Sequence, residues 1–401
     1  MSVSREQLVR AAATFGTPLY VYDAGSITAQ YQKLTKAFSS INARFFYAAK
    51  ALTNQAVLKH IGSMGCSIDC SSINEVKLAI RAGFTPDKIL YTSNSVAFAE
   101  IQEAVSLGVF ITIDSLSNLD KFARTYGNQY PVGIRLRPNI MAGGHVKIST
   151  GHATSKFGIP MEQLDQLEKL VVSYQLSVTT LHIHTGSEIS DASVFAQGLA
   201  FLLDLAERFS TVSILDLGGG FKVPYREEEK EIDLKEVAQQ VKIAFEAFEK
   251  KHGRSLQAWF EPGKFLVAQS GYLLATVTVL KPSDTICFAG VDSGLNHLIR
   301  PMFYEAYHPI SNLSNPSGNL QRYQVTGNIC ETDDFALDRA LPEIREGDIL
   351  AIHQAGAYGF EMASSYNARV RPAEVLIQEG EQYLIRRRET LEDLLIQQII
   401  L

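Results

Sequence analysis

Hydrophobic positions along the chain switch repeatedly between two periods. Short runs rich in β-branched and aromatic residues occur at Arg44–Ala48, Ser67–Cys70, Ile89–Thr92, Val109–Asp114 and Val132–Arg137. Three more follow at Val178–Thr185, Ser213–Leu217 and Ala258–Glu261. The first five step along at about 22 residues, the length of one strand-plus-helix unit. The stretches between are amphipathic at helical spacing: Asn54–Ser63, Ile73–Gly83, Val96–Gly108, Leu116–Tyr126, Met161–Tyr174, Ala192–Phe209 and Leu234–His252. Gly83, Gly108, Gly127 and Gly253 stand where helix C-caps are expected. Many strand runs are apolar along their length, as in parallel strands covered on both faces. The pattern predicts a (β/α)8 barrel over residues 26–268, with eight strands in about 240 residues. A doubly wound open sheet is the alternative that rhythm alone leaves open.

The rhythm stops after Gly263. Tyr272–Leu280, Cys287–Val291, Tyr323–Val325, Asp348–Ile352 and Glu374–Ile377 read as strands punctuated by Pro and Gly, with little helical periodicity. An all-β domain of β-sandwich or Greek-key character is expected over 269–401, with 1–25 joining it. The boundary should fall near residues 265–275, and the run Pro18–Tyr22 can supply this domain with a further strand.

Composition narrows the class. Apolar residues make up 46% of the 401 positions and charged ones 20%, close to a globular average. Lys plus Arg number 37 against 43 Asp plus Glu, a formal charge of −6. Without a basic run, a nucleic-acid or anionic-membrane partner is not expected. Four cysteines are too few for a disulfide framework, and Cys66 and Cys70 have no second pair at ligand spacing, so no metal is expected. The opening MSVSREQLVRAAATFG lacks a signal-peptide core, and Gly271–Leu280 is too short to span a bilayer. These features point to a cytoplasmic protein.

Barrel active sites gather at the C-terminal ends of strands. Those ends carry Lys50, Asp69, Asn94, Asp114, Arg135, Arg137, His184, Gly218–Gly220 and Glu261–Lys264. Lys50 follows the first strand in YAAK, where a salt-bridge partner or a solvated lysine is the plainer reading. Three glycines in LDLGGGF after the seventh strand let backbone approach a ligand and present N–H groups to an anion. The loops after strands seven and eight are the usual phosphate site of such barrels. A phosphate-bearing cofactor opposite an imine-forming lysine suggests pyridoxal 5'-phosphate, whose ring nitrogen needs an acid such as Glu261. His184 is equally well read as a ring-stacking group or as a satisfied structural histidine.

The segments YAAKALTN, HIHTGSEI, LDLGGGF, EPGKFLVAQSG, GNICETDDF and AGAYGFEMASSYNARVRPAEVL resemble the alanine-racemase-type (fold-type III) pyridoxal-phosphate decarboxylases. Within that group, CETDD, RPMFYEAYH and SSYNARVRPAEVL lean towards the diaminopimelate decarboxylase family, from about residue 15 to residue 395. The resemblance implies decarboxylation of meso-2,6-diaminopimelate to L-lysine and CO2, the last step of lysine biosynthesis. It implies that Lys50 binds the cofactor as an imine, that His184 stacks on its ring, and that Ser187 with Gly218, Gly219 and Gly220 holds its phosphate. Glu261 would pair with the ring nitrogen, with Asp69, Gly263 and Lys264 in the same shell. Tyr358 would reach the phosphate from the β domain and also face substrate. Arg300, Tyr304 and Glu331 would grip the far end of the substrate with Lys264 nearby, and Cys330 would deliver a proton. The resemblance further implies a homodimer in which each β domain completes its partner's site.

Two departures stand out. The family's EPGR is EPGK here, which replaces a planar fork by a point charge at Lys264. The CES-type motif reads CETDD, with Thr332 in place of the small hydroxyl residue and Asp333 added, while Cys330 and Glu331 are retained. A rival reading is a decarboxylase of another basic amino acid or of carboxynorspermidine, which would read only the amine end and leave Arg300 unused. A non-catalytic relative would be expected to lose the lysine, the cysteine or the glycine loop. Racemase chemistry is a further option on the same fold.

Overall fold

The computed structural model describes residues 3–140 and 155–399. The chain forms two compact units: Gln30–Val223 with Lys230–Phe265, and Met1–Ala29 with Pro224–Glu229 and Leu266–Leu401.

The first unit is a closed barrel of eight parallel strands: Ala43–Ala48, Ser67–Cys70, Ile89–Thr92, Phe110–Ile113, Val132–Arg137, Val178–His182, Ile214–Asp216 and Gln257–Phe260. Each pairs with its neighbour in sequence, and Gln257–Phe260 closes on Ala43–Ala48. The open-sheet alternative is thereby excluded. A two-residue strand, Ile159–Pro160, is added beside Val132–Arg137. The strands are buried almost throughout, which is why apolar runs rather than alternation mark them in the sequence. Side chains cap the covering helices: Asn54, Ser72, Ser115, Asp191 and Asp233 each accept a backbone N–H from the first turn. Such caps are worth about 1 kcal/mol each and fix where each strand-to-helix loop ends. Phe46, Leu90 and Trp259 fill one layer of the barrel, with Phe110 and Ile214 packed against them.

The second unit is mostly strand. Its order runs Asp334–Pro342, Leu320–Thr326, Cys287–Val291, Gly271–Pro282, Leu19–Asp23, Ala373–Gln378 and Glu381–Arg386. Ile349–Ile352 pairs with both Gly271–Pro282 and Ile310–Asn312. The early strand Leu19–Asp23 lies antiparallel to Gly271–Pro282 and parallel to Ala373–Gln378, so the N-terminal segment belongs to this unit. Leu8, Ala11 and Ala12 of the first helix, Arg5–Phe15, pack on Leu19, Val21, Leu274 and Val375. Fully burying an aliphatic side chain of this size contributes roughly 1.5–3 kcal/mol. No helix among the described residues is long and apolar enough to cross a membrane.

Candidate active site

Each barrel strand delivers one polar group as it leaves the core. Lys50 sits in the short turn after Ala43–Ala48, and its Nζ donates to Asp69 Oδ2 at 2.9 Å. The lysine side chain is 42% exposed while Asp69 is 1% exposed, so a cation with room to move leans on a buried anion. His182 ends the sixth strand, Asp216 the seventh, and Glu261 follows the eighth; all three are buried. Their ligand-type atoms lie within 4.8 Å of one another, with His182 Nε2 3.6 Å from Glu261 Oε1. Thr92 Oγ1 donates to the same Glu261 oxygen at 3.4 Å.

Charge balance governs this cluster. Asp69, Asp216 and Glu261 face Lys50 and the buried Arg135, an excess of carboxylate in a dry setting. Burial first, then repulsion from Asp69 and Asp216, pushes the Glu261 carboxyl well above its ordinary range. Burial likewise lifts Asp216 to about 7. A proton retained in such a pair belongs to both carboxyls. Burial, reinforced by Arg135 and Lys50, lowers the His184 imidazole to about 3, so it is neutral at physiological pH. His182, Asp216 and Glu261 carry donor atoms of the kind that bind metals, and the Arg135 guanidinium offsets part of their charge.

The glycine loop is packed tightly against the strand ends beside it. Gly218 N–H donates to Asp216 Oδ1 at 2.9 Å and Gly219 N–H to His184 Nδ1 at 3.2 Å. Two of the three N–H groups are therefore hydrogen-bonded to side chains, one of the same segment and one of the loop after the sixth strand. The second bond also places the proton of neutral His184 on Nε2. The glycines are needed for space: a Cβ on Gly218 would lie 2.6 Å from His184 Nδ1, and on Gly219 or Gly220 it would strike the backbone oxygens of Glu261 or Gly186. Gly218 and Gly220 also have φ of +68° and +99°, a region that side chains disfavour.

Lys264 is buried and ion-paired with Glu188, a residue of the HIHTGSEI segment to which the sequence reading gave no role. Glu188 takes a left-handed φ of +65° to do so, and Ser187 lies in the same loop. Gly263 packs where a Cβ would meet that of Ala48 at 2.9 Å, which fixes the eighth-strand loop beside the turn carrying Lys50.

The remaining candidates belong to the second unit and form two clusters there. Arg300 is buried, with Nε on His308 Nε2 and a guanidinium nitrogen on Tyr225 Oη, both at 3.4 Å; the Tyr304 ring is 5.9 Å from its carbon. Tyr225 and His308 were not legible as Arg300's partners, because they are 75 and 8 residues away from it in sequence. Cys330 and Glu331 are exposed and grouped with Tyr366 and Asn367. Tyr358 is half-buried with a left-handed φ of +55°.

Orphaned buried acceptors at Asp69 and Asp216, a raised acid at Glu261, a neutral imidazole and an adjacent lysine suit a cationic aromatic ring carrying an aldehyde. These residues fit pyridoxal phosphate. Residues 24–268 match the family model described as the pyridoxal binding domain of pyridoxal-dependent decarboxylases. The diaminopimelate decarboxylase of Methanothermobacter thermautotrophicus is 40% identical over 398 residues, covering 96% of this chain and 92% of that one. The chain belongs to the diaminopimelate decarboxylase family. Its cofactor is pyridoxal 5'-phosphate and it is an enzyme. The crystal structure of the Helicobacter pylori diaminopimelate decarboxylase complexed with L-lysine superposes with a TM-score of 0.88 at 31% identity, covering 98% of each chain. A Vibrio vulnificus lysine/ornithine decarboxylase shares the fold, with a TM-score of 0.82 at 22% identity.

Proposed function

We propose that this member of the family decarboxylates meso-2,6-diaminopimelate to L-lysine and CO2. The observation that carries the reading is the convergence of Lys50, Asp69, His184 and Glu261 at the C-terminal ends of one barrel's strands. When bound, pyridoxal phosphate supplies an aldehyde for an amine and a protonated ring that accepts the electron pair left by departing CO2. Asp69 holds the Lys50 amine whenever that amine is not bonded to the cofactor. Glu261, which shares a proton with Asp216, would pair with the ring nitrogen and keep it protonated. Neutral His184 offers a flat uncharged face, oriented by the Gly219 N–H. Ser187, Gly218, Gly219 and Gly220 make room for the phosphate, with Gly263, Lys264 and Tyr358 assigned to the same shell. Lys264 acts through the loop it fixes with Glu188.

At the substrate's far end, the buried Arg300 suits a carboxylate and Glu331 suits an ammonium, with Tyr304 beside the guanidinium. Cys330 returns a proton to the carbon that has lost CO2. A decarboxylase reading only an amine would have no use for a buried guanidinium held by two partners, which disfavours the ornithine-type alternative. We infer a homodimer with shared sites, because a proton donor left exposed on its own chain is served by a neighbouring surface that excludes water. The free Cys330 thiol suits a reducing, cytoplasmic setting.

The test is CO2 release by the cofactor-loaded protein from meso-diaminopimelate, ornithine, arginine and lysine side by side. Turnover of diaminopimelate alone is expected. Equal or faster turnover of ornithine or arginine overturns the reading.

A further inference from the structure

The SSYN segment belongs to a motif that no role above explains, yet it surrounds Cys330. Asn367 grips the cysteine twice: its Oδ1 accepts the Cys330 backbone N–H at 2.9 Å, and its Nδ2 donates to Sγ at 3.1 Å. Tyr366 Oη lies 3.4 Å from the same sulfur and donates to Glu331 Oε1 at 2.9 Å. The backbone is bent to achieve this. Asn367 and Ala368 are consecutive non-glycine residues in the left-handed region, with φ of +56° and +55°. Such conformations persist only where the surroundings hold them, and they gather at functional sites.

A phenol has one hydrogen to give. In the ligand-free chain it goes to Glu331, since a carboxylate outbids a thiol for a hydrogen bond. An ammonium docking on Glu331 weakens that hold and leaves the hydrogen available to sulfur. We propose that Tyr366 and Asn367 are positioning residues for Cys330, and that the phenolic hydrogen of Tyr366 couples occupation of Glu331 by the substrate's distal ammonium to proton donation by Cys330. The proposal rests on the roles given above to Cys330 and Glu331. In the step itself, the Sγ–H bond breaks and a C–H bond forms at the carbon that lost CO2. The electron pair of the S–H bond stays on sulfur as a thiolate, which then accepts from Tyr366 O–H and Asn367 Nδ2–H. Solvent returns a proton to it. With the phenolic hydrogen turned to the sulfur, the Tyr366 contact, together with that of Asn367, lowers the thiol's pKa from its ordinary value, against the opposing charge of Glu331. Tyr366 itself is raised, so it stays a donor.

The coupling can be read without turnover. Replacing Glu331 by Gln mimics the neutralised carboxylate. Iodoacetamide labelling of Cys330 in the holoenzyme, followed at pH 7.5 by peptide mass spectrometry, reports the thiolate fraction. Tyr366→Phe alone is expected to change labelling less than about twofold, since Glu331 holds the phenolic hydrogen in the ligand-free enzyme. Glu331→Gln is expected to speed labelling about three- to tenfold, the change produced by half to one unit in thiol pKa, and most of that gain should vanish in the Tyr366→Phe background. An equal gain in both backgrounds would mean that Glu331 acts on the sulfur directly, and would overturn the coupling. Asn367→Ala should slow labelling independently of Glu331; unchanged labelling there removes Asn367 from the proposal. Turnover of meso-diaminopimelate by the same proteins separates the two readings. If the wild-type protein releases no CO2, the substrate assignment fails while the labelling result stands. If it does, Tyr366→Phe should lower kcat more than it raises KM.

Discussion

The two groups of chemical side chains obey different physics. In the barrel, Asp69, Asp216, Glu261, His182 and Arg135 are buried, and the charge states of Asp216, Glu261, His182 and Arg135 are set chiefly by loss of water. In the β unit, Cys330, Glu331 and Tyr366 are exposed, and the thiol is tuned by hydrogen bonds instead. Desolvation is rigid: it shifts carboxyl and imidazole equilibria by several units and holds them there across physiological pH. Hydrogen bonding at an exposed thiol is weaker and can be redirected when a ligand arrives. A cofactor bound throughout turnover suits the first environment. A proton donor that must change state once per turnover suits the second.

The comparison is broken most severely at Lys50. Lys50→Ala should abolish the absorbance band that the cofactor acquires on attachment and cut kcat by more than about 10³-fold, the scale of losing a central catalytic group. Cys330→Ala should leave that band intact while abolishing most turnover. Mixing the two inactive proteins and verifying subunit exchange should then restore activity, because a hybrid dimer holds one site with Lys50 from one chain and Cys330 from the other. No recovery would place both residues of a site on one chain.

The next effect is on stability. Lys264→Met leaves Glu188 with a half-buried, unpaired charge and should lower the unfolding free energy by about 1–3 kcal/mol. Adding Glu188→Gln should recover most of this, as seen in denaturant midpoints; no recovery would mean that the pair is not the source. Lys264→Arg keeps the charge and should hold activity within about tenfold, or 1.4 kcal/mol.

The smallest effect concerns pH. Asp216 is lifted from 3.8 to about 7 in the folded chain, so the folded state binds the extra proton between those values. The slope of unfolding free energy with pH is then negative, and this contribution to cofactor-free stability is lost as pH rises from about 4 to about 7. Asp216→Asn should flatten that slope. A wild-type-like slope in thermal unfolding between pH 5 and pH 8 would contradict the assignment.

Much of the barrel was legible because its strands are buried on both faces and marked by β-branched runs. Ser67–Cys70, Ile89–Thr92 and Val132–Arg137 agree with the sequence reading to the residue. Three strands of the β unit, Ile310–Asn312, Asp334–Pro342 and Glu381–Arg386, had no such mark. DFALDRALP contains no β-branched residue and mixes Ala, Leu and Arg, which favour helix. It is an edge strand, held by its antiparallel partner Leu320–Thr326 rather than by its own propensity. The site divides in the same way. Lys50, His184 and Glu261 stand out because each lies in a short motif at a strand end, YAAK, HIHTGSEI and EPGK. His182 reads as one more inward residue of an apolar strand, and Asp216 as the lead-in to a glycine loop. Their meaning comes from Glu261, 79 and 45 positions later, a proximity created by the side-by-side pairing of the sixth, seventh and eighth strands.

The most direct measurement is borohydride reduction of the cofactor-loaded protein followed by peptide mass mapping. Reduction fixes the cofactor to whichever lysine holds it. The account predicts the added mass on the peptide containing Lys50 and on no other. Label on Lys264 or on any lysine away from the barrel's strand ends would contradict the site described here.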